Sequence, residues 1–225
     1  MRQSSVACSA SVPRSKFRVV PRGVFIVFEG PEGSGKSTQA RRLAAALARR
    51  RVPVRLTREP GDTELGVGLR RVLLKTRLEI EGKTEALLYM AERSEHVRRV
   101  LQPALHRGEV VISDRYLDST LAYQGDGLGV GRAWLERIGR WVTDGVRPDL
   151  TILLDLEPRI GLRRAGRPDR IERRDLEFHQ RVRAGYLRMA RRAPSRYLVL
   201  DATQSVGALQ RAIEAVVWDM VAKRG

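Results

Sequence analysis

A chain of 225 residues can fill one sizeable α/β core, and its 43 Lys and Arg against 26 Asp and Glu leave a formal charge of +17. That balance suits anionic substrates or a polyanionic partner, although about half of the excess reads as arginines solvating helix faces, as in 49–51 and 191–192. The single Cys8 excludes an intramolecular disulfide and a cysteine-built metal site and agrees with the reducing cytoplasm, and no apolar stretch approaches the ~20 residues of a membrane span, so the expectation is a soluble protein with no membrane partner.

Residues 1–22 contain no acid, several serines and scattered Arg and Lys, without the continuous apolar core of a secretory signal. They read as a basic, unstructured extension; an organelle transit peptide or a mis-set start would share that composition. From residue 23 to 225 the sequence predicts a single domain. Strands are expected at 24–28, 52–56, 110–113, 150–156 and 197–200, and helices at 38–50, 64–75, 83–107, 132–144, 171–192 and 205–223. Nearly continuous apolar strands alternating with helices predict a parallel five-stranded sheet covered on both faces, with binding groups at the carboxyl ends of the strands.

Between the first strand and the first helix stands Gly30-Pro31-Glu32-Gly33-Ser34-Gly35-Lys36-Ser37, which fits G-x-x-x-x-G-K-[ST]. Its glycines allow turns closed to other residues, so that successive N–H groups and the helix N-terminus converge on phosphates. Lys36 adds a point charge at the β- and γ-phosphates, and the Ser37 hydroxyl is a ligand for Mg²⁺.

Four later segments narrow the chemistry. Thr57-Arg58-Glu59-Pro60-Gly61 makes a turn after the second strand that either points Arg58 and Glu59 into the cleft or leaves them as a solvated ion pair. Tyr89 and Arg93 are four residues apart on one helix face, where a ring and a guanidinium can stack on a base and bond its carbonyl, or simply pack in the core. Asp114 and Arg115 end the third strand, placed to serve Mg²⁺ and a substrate phosphate, while Asp114 or Asp118 can also cap a helix. The stretch 159–172, with Arg163, Arg164, Arg167, Asp169, Arg170 and Glu172 around Gly166 and Pro168, reads as a lid that brings arginines over transferring phosphates, or as a solvated face.

In this order the segments resemble the thymidylate kinases, nucleoside-monophosphate kinases that make dTDP from dTMP with ATP. The strings that carry the resemblance are FEGPEGSGKST from Phe28, TREPG from Thr57, LLYMAERSEHV from Leu87, DRYLDSTLAYQG from Asp114, PDLTILLDL from Pro148, DRIE from Asp169 and FHQRVRAGYLRMA from Phe178. The resemblance implies the P-loop fold of that kinase class and a homodimer. It implies that residues 30–38, through Thr38, hold ATP, that Mg²⁺ lies near Ser37 and Asp114, and that thymine stacks on Tyr89 and is bonded by Arg93. Ser119, Thr120 or Gln124 would line the base pocket, Arg58 and Arg115 would hold the dTMP phosphate, Tyr123 would lie under the deoxyribose and Glu32 near the sugar. Catalytic roles would fall to Lys36, Arg115, Arg163, Arg164 and Arg167, since the loop interior lacks an arginine, as in the bacterial subclass that supplies one from the lid.

Two departures stand out: Asp62 occupies the place of a second glycine after TREPG, and the lid is compact, with Pro168 placed to shift which arginine reaches the transferred phosphoryl group. The three histidines, His96, His106 and His179, lack metal-ligand spacing and read as surface or packing residues. Alternative readings are a kinase for another nucleoside monophosphate or a deoxynucleoside, and a nucleic-acid-binding P-loop ATPase. The strand at 150–156 lacks the adjacent acidic pair expected of such a motor, which makes a nucleic-acid partner the weaker expectation.

Overall fold

In the computed structural model, which describes residues 23–76, 78–164 and 168–223, β1 (Val24–Glu29), β2 (Val54–Arg58), β3 (Val110–Asp114), β4 (Leu150–Asp155) and β5 (Tyr197–Asp201) form one parallel sheet in the order β2-β3-β1-β4-β5. Residues 1–22 and 224–225, with Arg77, Ala165, Gly166 and Arg167, lie outside the described residues. The expected extension and the centre of the expected lid fall among these.

Every side chain of β1 is buried because the strand alternates between two cores. Val24, Ile26 and Phe28 meet α1 (Lys36–Arg49) and α9 (Val206–Ala222) on one face. Phe25 and Val27 meet Val97, Leu101, Ala104 and Leu105 on the other. A third apolar group under α8 (Leu176–Arg192) joins it to α6 (Arg132–Val142) and the 121–127 segment. Both faces of the sheet are therefore covered, as the apolar strands require.

The helix expected at 83–107 is interrupted. It runs as α3 (Gly82–His96), widens into a π-type stretch (Val97–Leu101) and ends as α4 (Gln102–His106). Pro103 has no N–H to return to the carbonyl four residues back, and the ladder loosens just before it. The helix expected from 171 starts at Leu176 instead, because the Asp175 carboxylate accepts from the Phe178 N–H at 2.6 Å and caps it there. Thr63 caps α2 (Glu64–Lys75) in the same way, accepting from Gly66 N–H at 2.9 Å. Two helices were not foreseen: α5 (Leu117–Thr120), continued by a wide turn (Leu121–Gly127), and α7 (Pro158–Arg164) in the expected lid.

β1 lies at the centre of the sheet; the connection that follows it runs to β2 on one side, and the one after β3 crosses to β4 on the other. A crevice opens at the carboxyl ends beside such a switch point, and the loop 30–35 enters it.

Candidate active site

The loop turns on three glycines with positive φ, Gly30 at 142°, Gly33 at 66° and Gly35 at 90°, and Gly35 caps α1. A side chain at Gly33 would also strike the backbone of Gly161, since a Cβ there would lie 2.1 Å from its carbonyl oxygen. The Lys36 ammonium is folded under the loop, donating to the carbonyls of Gly30 at 3.0 Å and Pro31 at 2.7 Å. Burial, reinforced by the nearby Arg115 cation, lowers its pKa to about 8. The Ser37 hydroxyl touches the Asp114 carboxylate, so the two expected metal ligands meet between the start of α1 and the end of β3.

Arg115 follows β3 in the left-handed region, φ 78°, an uncommon conformation for a residue with a Cβ. Its guanidinium reaches Glu32 Oε1 at 2.7 Å, Ser119 Oγ at 3.2 Å and the Tyr123 hydroxyl at 3.2 Å. Burial opposes its charge, yet Glu32 first and then Tyr123 and Tyr186 raise its pKa well above the ordinary value. Glu32 is half-buried, and desolvation opposes its charge, but Arg115, Lys36 and the Tyr123 hydroxyl lower its pKa to about 2. Behind them Glu29 accepts from Ser119 Oγ at 2.6 Å and from the Tyr186 hydroxyl at 2.9 Å, which fixes the side chain that Arg115 leans on.

One cavity of about 320 Å³ gathers Lys36, Ser37, Thr38 and Asp114 together with Tyr89, Ser119, Thr120, Tyr123 and Gln124. Arg58, Arg115 and Arg70 line it as well. Arg70 was missed by the sequence reading. It donates to Pro60 O at 2.8 Å, and burial, then the Arg58 charge, lower its pKa. Its position was readable in principle, because it stands four residues from Gly66 and three from Leu73, the buried positions of α2.

Arg93 does not line this cavity among its described walls. It is only 1% exposed, and donates to Glu59 Oε2 at 2.8 Å, Thr120 Oγ1 at 3.0 Å and Tyr116 O at 3.0 Å. It therefore stands one layer back, holding Thr120, which does line the cavity. The other Glu59 oxygen meets His96 Nδ1 at 2.8 Å, and His96 Nε2 meets Thr57 Oγ1 at 2.6 Å. His96 and His179 are packing residues and His106 is exposed. Asp62, the departure after TREPG, closes the turn by accepting from Thr57 Oγ1 and from Arg55, both at 2.7 Å. The Glu59–Pro60 peptide is cis.

Of the expected lid arginines, Arg167 lies outside the described residues, and Arg163 and Arg164 on α7 are exposed. Arg164 donates to Ala202 O at 3.2 Å, past the end of β5. The next stretch contributes Asp169, Ile171 and Glu172 to the cavity wall. Among the described residues no helix is long and apolar enough to cross a membrane.

Comparison with known proteins agrees with this geometry. A Thymidylate kinase family model matches residues 28–213. The chain is 51% identical over 207 residues to a thymidylate kinase of Deinococcus radiodurans, covering 91% of this chain and 98% of that one. It is 47% identical over 201 residues to a thymidylate kinase of Cupriavidus pinatubonensis, covering 87% and 98%. The crystal structure of thymidylate kinase from Ehrlichia chaffeensis superposes with a TM-score of 0.73 at 33% identity, over 88% of this chain and 99% of that one. A phosphate loop, a cationic cleft and a base-sized wall on one parallel sheet thus occur in a chain whose matched relatives span nearly its whole length, and the chain belongs to the thymidylate kinase family.

Proposed function

We infer that this chain transfers the γ-phosphoryl group of ATP to dTMP, giving dTDP and ADP for dTTP synthesis. The observation that carries this reading is one shared cavity, lined by the phosphate loop and by Tyr89, Thr120 and Gln124, with the cations Lys36, Arg58, Arg70 and Arg115 on its walls. A dianionic acceptor phosphate is already nucleophilic, so the site needs alignment and charge neutralisation more than a base.

In this reading the amides of residues 33–38 and Lys36 hold the donor phosphates, while Arg58, Arg70 and Arg115 hold the acceptor phosphate. Tyr89 stacks on thymine, with Thr120 and Gln124 at its edge and Arg93 steadying Thr120 from behind. Ser119, Tyr123 and Glu32 surround the sugar. The neighbouring Ser37 hydroxyl and Asp114 carboxylate are hard oxygen donors of the kind Mg²⁺ takes alongside water and phosphate oxygens. When bound, that ion neutralises charge on the β- and γ-phosphates. Arg163, Arg164 and Arg167 are assigned to the transferring phosphoryl group on lid closure.

The same reading makes the enzyme a homodimer of the cytoplasm. The neighbouring helices α2, α3 and α6 expose Leu65, Val72, Leu87 and Trp141, which a second copy would cover, and the lone cysteine fits a reducing compartment. The test is ADP release with dTMP, dUMP, dCMP, AMP, GMP and thymidine as acceptors. A clear preference for dTMP is expected. Equal turnover of a purine nucleotide, or hydrolysis stimulated by nucleic acid without an acceptor, would overturn it.

A further inference from the structure

Glu85 on α3 is fully buried, yet both its oxygens are taken by side chains from distant parts of the chain. Oε1 accepts from Gln124 Nε2 at 2.7 Å. Oε2 accepts from Arg170 at 2.5 Å and from Arg174 at 2.8 Å. Arg170 is tied down in turn, its backbone N–H to Leu74 O at 3.1 Å and its Nε to Leu73 O at 2.7 Å. Arg174 stacks over the Phe178 ring at 4.8 Å. The carboxylate is thus clamped from both sides and has little freedom to turn.

The consequence falls on Gln124, which lines the cleft and is 2% exposed. An amide side chain can face a site as a donor or an acceptor, and its neighbour decides which. A carboxylate only accepts, so the Gln124 nitrogen must face Glu85 and its carbonyl oxygen is left for the cleft. An acceptor there matches the N3–H of thymine or uracil and meets the bare N3 lone pair of cytosine with repulsion.

We propose that Glu85 is a positioning residue for acceptor specificity: clamped by Arg170 and Arg174, it commits Gln124 to present an acceptor oxygen to the nucleobase. Releasing Gln124 lets its amide rotate and offer N–H to cytosine, while dTMP and dUMP remain equivalent at N3. The inference rests on the reading of this cavity as the dTMP site.

Steady-state constants with dTMP, dUMP and dCMP at saturating ATP test it in the parent, Glu85→Ala, Gln124→Met and the double variant. Glu85→Ala should lower the ratio of kcat/KM for dTMP over dCMP by at least about tenfold, leave the dTMP over dUMP ratio within about twofold, and leave the KM for ATP within about twofold. On the Gln124→Met background the same substitution should alter the dTMP over dCMP ratio by less than about twofold, because the two residues act as one unit. If Glu85→Ala does not fold, Glu85→Gln keeps the shape but offers one oxygen to three donors, and the same ratio should fall in the same direction. An unchanged dTMP over dCMP ratio in the folded variant, or a full effect persisting without Gln124, would overturn the proposal. Absence of transfer to dTMP by the parent would instead overturn the acceptor assignment beneath it.

Discussion

Lys36 is the residue on which the phosphate loop turns. Its ammonium is held under the loop at a pKa of about 8, so the charged form that faces phosphate is lost as pH rises through that value. The affinity for ATP should stay level from about pH 6 to about pH 7.5 and weaken above about pH 8, as read by direct nucleotide titration. Lys36→Arg, whose guanidinium keeps its proton, should lack the fall, and a parent titration flat to about pH 9.5 would contradict the assignment. Lys36→Ala should lower turnover on the order of 10² to 10³, the scale of losing one preorganised cation. Glu92 tests burial rather than catalysis. Its Oε1 accepts from Gly61 N–H at 2.9 Å, while Oε2 is buried without a hydrogen-bond partner. Burial, then the Glu59 charge, raises its pKa to about 7 from an ordinary 4.5. The folded state therefore binds this proton more tightly than the unfolded chain, so ionising Glu92 costs stability as pH climbs from 4.5 towards 7, fully above 7. Glu92→Gln should then stabilise the protein at about pH 8 by about 1–2 kcal/mol relative to the parent, with the advantage vanishing near about pH 5. Denaturant midpoints at the two pH values decide it.

At the scale of elements, what the sequence spelled out locally was read well. Strands at 110–113 and 197–200 match β3 and β5 to within one residue, and the helix at 64–75 coincides with α2. Period and composition are local signals, as is the loop motif. What escaped depends on contacts between distant segments. Arg93 shares a helix face with Tyr89, but its partners Glu59 and Thr120 lie 34 and 27 residues away, and they draw it behind the cavity wall. Glu85 meets Arg170 and Arg174 across more than 80 residues. The helix α7, seven residues long, is too short to show a period of its own, and it lies in close backbone contact with the phosphate loop. A Cβ on Gly161 would lie 2.1 Å from the Glu32 carbonyl oxygen, a backbone atom that cannot swing aside. Gly161→Ala should push α7 and its arginines off the loop. We expect about 1–3 kcal/mol of lost stability, the usual scale of overpacking, and turnover down by about tenfold with dTMP affinity nearly unchanged. Normal turnover in Gly161→Ala would mean that contact between α7 and the loop is not needed for transfer.

Across the whole molecule the charge is uneven in a way that bears on rate. Five of the basic residues fall in 1–22, which has no acid, so the remaining chain carries +12 of the +17. Within that remainder the cleft concentrates Lys36, Arg58, Arg70 and Arg115 on the walls of one cavity. Both substrates are polyanions, and a concave cationic site focuses its field outward more effectively than the same charges spread over a convex surface. The exposed runs at 49–51 and 191–192 lie in solvent, where salt screens them beyond roughly 10 Å at ~0.1 M. Raising ionic strength from about 0.05 M to about 0.3 M should therefore lower kcat/KM for dTMP severalfold while kcat stays within about twofold, because screening acts on approach and not on groups already in contact. Neutralising cleft and surface separates the two sources. Arg58→Gln should flatten the salt dependence, whereas Arg191→Gln with Arg192→Gln should leave it as in the parent. The reverse pattern would place the steering field on the general surface, and the basic cleft would then serve only to hold phosphates once they have arrived.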